Sequence, residues 1–118
     1  MATAEKKSLN TPDETRKFEK GQVEIVNLSD DTIGRFRFEP GWKWSEHVKP
    51  IAGTDLCQSS HYAYQITGRL HVVMADGSEL EVGPGEVGVI PPGHDAWVVG
   101  NEAVTGIDWA GMATYARK

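Results

Sequence analysis

From residue 23 onward the chain is a succession of short segments in which apolar and polar residues alternate, separated by turn-forming residues. Period-two alternation rich in β-branched and aromatic residues predicts strands. It does so over Val23–Leu28, Thr32–Glu39, Gly41–His47, His61–Thr67, Leu70–Met74, Glu79–Val82, Glu86–Ile90, Ala96–Val99 and Val104–Trp109. Pro40-Gly41, Asp76-Gly77, Gly83-Pro84-Gly85, Pro91-Pro92-Gly93 and Gly100-Asn101 supply the turns. Past residue 20 no stretch carries a helical stripe. So many short, closely spaced strands imply an antiparallel sandwich or barrel. Residues 1–20 are polar and predict a loose arm, with Thr11-Pro12-Asp13-Glu14 suited to cap one helical turn. The remaining residues, 21–118, then form one all-β domain.

Composition narrows the function. A chain of 118 residues supports one modest core and a single domain. A net charge of −5 disfavours nucleic acid as a partner, because phosphates would be repelled by most of the surface. No apolar run approaches the roughly 20 residues of a membrane helix, which predicts no membrane partner. The N-terminal lysines are not followed by an apolar stretch, so no secretory signal is read there. On that basis Asn27-Leu28-Ser29 is a chance sequon. One cysteine cannot form an internal disulfide, which predicts a reducing, cytoplasmic setting.

Two glycine-proline patterns resemble the paired motifs of the cupin superfamily. Gly83-Pro84-Gly85-Glu86, Val87-Gly88-Val89-Ile90 and Pro91-Pro92-Gly93 are similar to the second motif. In the first motif's place, Gly41 is followed after five residues by His47, and His61 lies seven positions before Gly68. The resemblance spans about residues 36 to 109. It implies a double-stranded β-helix, the jelly-roll barrel of cupin type, with a metal site in its cavity. The departures fall on the metal ligands. Lys49 stands for the second histidine of the first motif, His61 for its glutamate, and Ala96 for the histidine of the second motif. The family's three-histidine, one-glutamate set therefore fails at three of four positions. The segment between His47 and His61 is also longer than the motif, with PIAGTDLCQSS as an extended loop.

On the geometry that the resemblance implies, His61, Ala63 and Gln65 share the inward face of one strand, with Ala96 on a neighbouring one. His47 ends the preceding strand and His94 lies on the turn entering the next. Cys57, four residues before His61, is close enough in sequence to add a thiolate. His47, His61, His94 and Cys57 are the candidate ligands for a divalent ion. Three imidazoles and a thiolate favour zinc, with iron, nickel and manganese as alternatives, and suit magnesium or calcium poorly. Asp55 is the hard-ligand alternative in the same loop. Each has a plainer role: Cys57 as a small half-buried apolar residue, His94 as a turn residue bonded to Asp95 or a carbonyl. His71 is read as outward and excluded. Trp42 and Trp44 are read as packing residues on the face opposite His47, while Tyr62, Tyr64 and Trp97 point away from the cavity. Outward rings on several strands predict a homodimer.

Three functions follow, and the sequence selects no reaction among them. The first is a metal-binding cupin that takes a small-molecule ligand and acts, if it is an enzyme, on a small oxygenated substrate. The second is a non-catalytic ligand-binding or assembly module whose metal site has decayed. The third is a redox sensor whose Cys57 thiol is acidified by neighbouring imidazoles.

Overall fold

The structure is a computed structural model and describes residues 3–113, 115 and 116. Met1, Ala2, Thr114, Arg117 and Lys118, which include the start of the expected arm and the end of the expected domain, lie outside the described residues. Among the described residues nine strands and two helical turns follow one another: β1 (Glu14–Phe18), β2 (Gly21–Leu28), β3 (Asp31–Phe38), α1 (Trp44–His47), α2 (Lys49–Ala52), β4 (His61–Thr67), β5 (Arg69–Met74), β6 (Glu79–Val82), β7 (Val87–Ile90), β8 (His94–Val99) and β9 (Val104–Asp108). A six-stranded sheet has the order β1-β2-β3-β9-β4-β7 and faces a three-stranded sheet ordered β6-β5-β8. Every pairing is antiparallel. This is a jelly roll whose two sheets enclose the core without closing into one continuous barrel.

The alternation seen in sequence sorts side chains between core and exterior. Val23 and Ile25 on β2, Phe36 and Phe38 on β3, Leu70 and Val72 on β5, and Ala96 and Val98 on β8 are all buried. Gly68, the glycine that closes the first motif, sits between β4 and β5 at φ 77°, where the chain crosses from one sheet to the other. A Cβ there would lie 2.6 Å from the Ala103 carbonyl oxygen, so only glycine fits both the backbone and the space.

Three expectations are corrected. Gly41–His47 is not a strand. Only Lys43 forms a single bridge, to Trp97, and residues 44–47 make a helical turn in which the His47 N–H donates to Lys43 O at 2.9 Å. The reason is packing: Trp44 and Val48, four residues apart, are both fully buried, and a helical turn places that pair on one face. The long loop contains a second turn, α2, with proline at its start and Gly53 in the left-handed region at its end. Residues 14–18 of the polar arm are not loose, and among the described residues the chain before them forms no helical turn. Glu14–Phe18 pairs with β2 as an edge strand whose charged side chains suit that position. Arg16 on β1 donates to the Met112 and Tyr115 carbonyls at 3.0 and 2.7 Å, which pins the C-terminal segment over the core.

Candidate metal centre

His61 is the first residue of β4, and its strand lies between β9 and β7. Ala63 of β4 is in register with Asp108 at the end of β9, which brings that carboxylate beside the His61 ring. The His61 Nδ1–H donates to Asp108 Oδ2 at 2.5 Å. Asp108 Oδ1 accepts from the Ala110 and Gly111 amides at 2.9 and 3.3 Å. The chain at Gly111 passes close to this ring: a Cβ there would lie 2.7 Å from His61 Nδ1 and 2.4 Å from Ser60 O. The carboxylate therefore fixes which nitrogen of His61 carries the proton and leaves Nε2 turned to the remaining partners.

Cys57 reaches the same point along a different route. Its N–H donates to His94 O at 2.8 Å and its carbonyl accepts from Gly93 N–H at 2.7 Å. This isolated bridge zips the loop onto the start of β8. Cys57 Sγ stands 3.8 Å from His61 Nε2. His94, buried at the head of β8, donates its Nδ1–H to Pro91 O at 2.8 Å, which leaves its Nε2 to face the Cys57 thiol. The His61 and His94 rings meet edge to face at 5.2 Å. One donor atom each from Cys57, His61 and His94 lie within 4.8 Å of one another.

The electrostatics follow from this enclosure. Burial alone would push the Cys57 thiol up, but hydrogen bonds and charge from His61 and His94 overcome it and bring the pKa from 9.0 down to about 6. Burial would lower His61, yet Asp108 and Cys57 raise it from 6.5 to about 9. Asp108, which burial would raise, is held below the ordinary carboxylate value chiefly by its bond to His61. Burial, reinforced by the charges of Cys57 and Asp108, raises the Tyr115 phenol well above its ordinary value. In the metal-free protein both shifts run toward a Cys57 thiolate paired with a His61 imidazolium.

A cavity of about 50 Å³ adjoins these groups, with His61, Ala63, Gln65, His94, Ala96 and Asp108 in its wall. Gln65 is held there by donating Nε2–H to the carbonyls of Gly68 and Val82, both at 2.7 Å. Trp42 and Trp44 also line the cavity rather than a face opposite to it. His47 stands apart from the cluster. Its Nδ1 meets the Lys43 backbone at 3.0 and 3.1 Å, and its Nε2 lies 4.0 Å from Glu19. Asp55 points to Lys49 at 3.5 Å on the surface. Tyr62 and Tyr64 face outward, and His71 stacks on Trp97 outside the core. Asp108 and Tyr115 are the site residues that sequence reading passed over. The one available signal for Asp108 was its position as an acidic residue ending an otherwise apolar strand.

No protein-family model and no curated protein sequence matches the chain. Solved structures do. A Rhizobium leguminosarum protein of unknown function is 21% identical, with 93% of this chain and 98% of that one covered and a TM-score of 0.61. A sugar phosphate isomerase of the cupin superfamily from Silicibacter pomeroyi is 18% identical, covering 91% of this chain and 75% of that one at a TM-score of 0.62. A cupin-like protein from Thermotoga maritima is 15% identical, covering 80% and 71% at 0.55. The fold is therefore the cupin fold that the two glycine-proline patterns implied.

Proposed function

From the cupin fold as premise, we propose that this protein binds a divalent metal ion through Cys57, His61 and His94, with zinc the best match, beside a cavity that takes a small organic molecule. One observation carries this reading: both histidines donate Nδ1–H to a fixed acceptor, Asp108 for one and Pro91 O for the other, and so present Nε2 beside a thiolate. Metal-ligating histidines are held in this way by a carboxylate or carbonyl behind them. A thiolate with two imidazoles suits zinc better than a hard ion. Tetrahedral zinc spaces its sulfur and nitrogen ligands about 3.5 Å apart, so donors within 4.8 Å need to close by at most about 1.3 Å. Three protein ligands leave one position for water or a ligand. Bound there, zinc supplies Lewis acidity to an oxygen that reaches it. Asp108 meanwhile orients His61, and Gln65, Ala63 and Ala96 shape the adjoining wall.

The test is metal analysis of protein purified without chelator, followed by titration of the EDTA-treated protein with zinc. One equivalent bound, lost in both Cys57→Ser and His94→Ala, supports the reading. No stoichiometric metal and an unchanged melting temperature on adding zinc overturn it, and leave the non-catalytic module.

The same atoms favour a second reading. Asp108, His61 and Cys57 run in the order carboxylate, imidazole, thiol, an arrangement that generates a nucleophilic or redox-active thiolate. Cys57 is only 2% exposed, which places its sulfur out of reach of bulky reagents. Rapid alkylation of Cys57 by iodoacetamide in zinc-loaded protein would favour this reading over the first. The proposal also includes a homodimer. Tyr62, Tyr64, Ile66, Val87, Val89 and Trp109 are 39% to 60% exposed around β4 and the edge strand β7, an apolar face suited to a second copy. Sedimentation of Val87→Lys beside the parent tests it, with an unchanged molecular weight as the contrary result. The lone free thiol suits a reducing cytoplasm, and no helix among the described residues is long and apolar enough to cross a membrane.

A further inference from the structure

The inward face of β4 carries two polar side chains with an apolar one between them. His61 opens the strand at the metal centre, Ala63 follows, and Gln65 stands two inward positions further on, about 13 Å along the strand. All three line the same cavity, whose wall is otherwise mostly apolar, with Phe36, Leu70 and Ile90 among its residues. Its volume of about 50 Å³ corresponds to about three to five waters, at about 10–15 Å³ for each. A ligand of roughly six heavy atoms or fewer suits that scale.

The Gln65 amide is fixed in this wall. Its Nε2 donates to the Gly68 and Val82 carbonyls, both at 2.7 Å. Carbonyls only accept, so the amide cannot turn end for end, and its oxygen is held facing away from them. That oxygen, Oε1, accepts no hydrogen bond among the described residues, and yet it is not sealed. The Trp42 indole nitrogen is the one polar side-chain atom among the described residues that is both unpartnered and fully covered. Oε1 is also unpartnered, so it keeps open surface. Gln65 is only 2% exposed and lines the cavity, which makes that surface part of the cavity wall.

A fixed acceptor of this kind selects its ligand. A buried acceptor without a donor is destabilising, and an incoming O–H relieves that. Ketones, ethers and carboxylates bring only lone pairs to Oε1 and gain nothing there. An ammonium group donates, but burying its charge needs a carboxylate to meet it. Asp108 is the only acidic residue in the wall among the described residues, and both of its oxygens are already bonded.

We infer that the cavity binds a small apolar alcohol, whose hydroxyl donates to Gln65 Oε1 and whose body lies against the apolar wall. The inference rests on the reading that this cavity takes a small organic molecule, and it names the class of that molecule. It does not rest on the metal, because Gln65 and His61 are two inward positions apart.

The experiment uses full-length protein labelled with ¹⁵N and ¹³C in two states, EDTA-treated and zinc-loaded. Both are titrated with cyclopentanol and with cyclopentanone, which has the same ring and no hydrogen to donate. Cyclopentanol is expected to bind at about millimolar affinity and to shift the Gln65 side-chain amide resonances in both states. Cyclopentanone should bind about fivefold more weakly. In Gln65→Met, which keeps the length of the side chain without its acceptor, the two compounds should bind within about twofold of each other. If Gln65→Met does not fold, the preference for the alcohol and the Gln65 shift in the parent protein decide alone. Equal or tighter binding of the ketone, an unmoved Gln65 amide, or a preference for the alcohol that survives in Gln65→Met overturns the inference. So does failure of both compounds to bind. A preference for the alcohol that appears only with zinc would put the hydroxyl on the ion, and overturns it as well. Equal binding of both compounds leaves the cavity reading standing while the inference falls. The expected preference in protein that takes up no zinc supports the inference while overturning the metal centre.

Discussion

His61 and His71 stand on consecutive strands and each meets a carboxylate, yet only one of these pairs builds a site. His61 and Asp108 lie 2.5 Å apart with side chains 10% and 2% exposed. His71 and Glu79 lie 2.7 Å apart with side chains 25% and 55% exposed. The contact distances hardly differ. What differs is the side of the sheet. His61 faces inward, where Asp108 must be compensated by main-chain amides and where Cys57 and His94 are forced into company with it. His71 alternates outward from buried Leu70 and Val72, stacks on Trp97, and meets a carboxylate that is itself exposed. A histidine–carboxylate contact becomes a functional device only when burial removes the solvent that would otherwise screen it.

The strongest way to break this comparison is to remove each carboxylate. Asp108→Asn takes the charge from a buried, bonded pair and is expected to cost about 3 to 5 kcal/mol in urea unfolding. The new amide would also turn an N–H toward His61 Nδ1, reversing the ring's tautomer and blocking Nε2. Zinc affinity should therefore fall by about 10- to 100-fold or more. Glu79→Gln on the surface should change stability by no more than about 0.5 kcal/mol and leave zinc binding intact. Equal costs for the two substitutions would show that burial is not what separates the pairs.

Metal binding sharpens the same contrast at a slightly smaller scale. Free zinc at a hundredfold excess over its Kd should stabilise the parent by about 2.7 kcal/mol, read as a shift in the urea midpoint. Glu79→Gln should keep that gain in full, while Cys57→Ser and His94→Ala should each lose most of it. A gain that survives in Cys57→Ser would move the ion away from the proposed centre.

How much of this was legible follows from which residues carry it. Eight of the nine strands announce themselves, because alternation and glycine-proline turns are local signals that read the same way in isolation. His61, Ala63 and Gln65 followed from the register that Gly68 imposes. The strand expected over Gly41–His47 failed because two tryptophans spaced by two suit a buried strand as well as a helical turn. Only the partner Val48 and the contacts with Asp95 and Trp97 decide between them. His47 was lost to the site with that strand. Asp108 lies 47 residues from His61, and nothing short of the β4–β9 register joins them. Cys57 depended on a loop whose route is set by two main-chain bonds to Gly93 and His94, which no side-chain pattern encodes.

Gly111→Ala probes how tightly the inner pair is held, at a smaller expected effect. Its methyl would press on His61 Nδ1 and the Ser60 carbonyl, both closer than 3 Å. Overpacking of this kind costs about 1 to 3 kcal/mol. Unlike a general loss of stability, it should also lower zinc affinity, because the crowded atom is the one that bonds Asp108. Normal zinc affinity in this variant would mean that the ring has freedom the geometry denies it.

The smallest expected effect is a cancellation peculiar to the inner pair, and it concerns pH in the metal-free protein. His61 is raised from 6.5 to about 9, so its contribution to stability is complete below 6.5 and is lost as pH rises through 9. Cys57 is lowered from 9.0 to about 6, so its contribution is complete above 9.0 and is lost as pH falls through 6. Between about pH 6.5 and 9 the two slopes oppose each other. The folded pair holds one proton, on the imidazole, and the unfolded pair also holds one, on the thiol. Stability across that window should therefore be flat to within about 0.5 kcal/mol, while ultraviolet absorbance shows a thiolate that titrates near pH 6. Cys57→Ser removes one slope and keeps Asp108 beside His61, so its stability should fall as pH rises from 6.5 to 9. A parent protein that itself loses stability steadily over this range would show that the thiol keeps its proton, and that Asp108 alone sets the charge on His61.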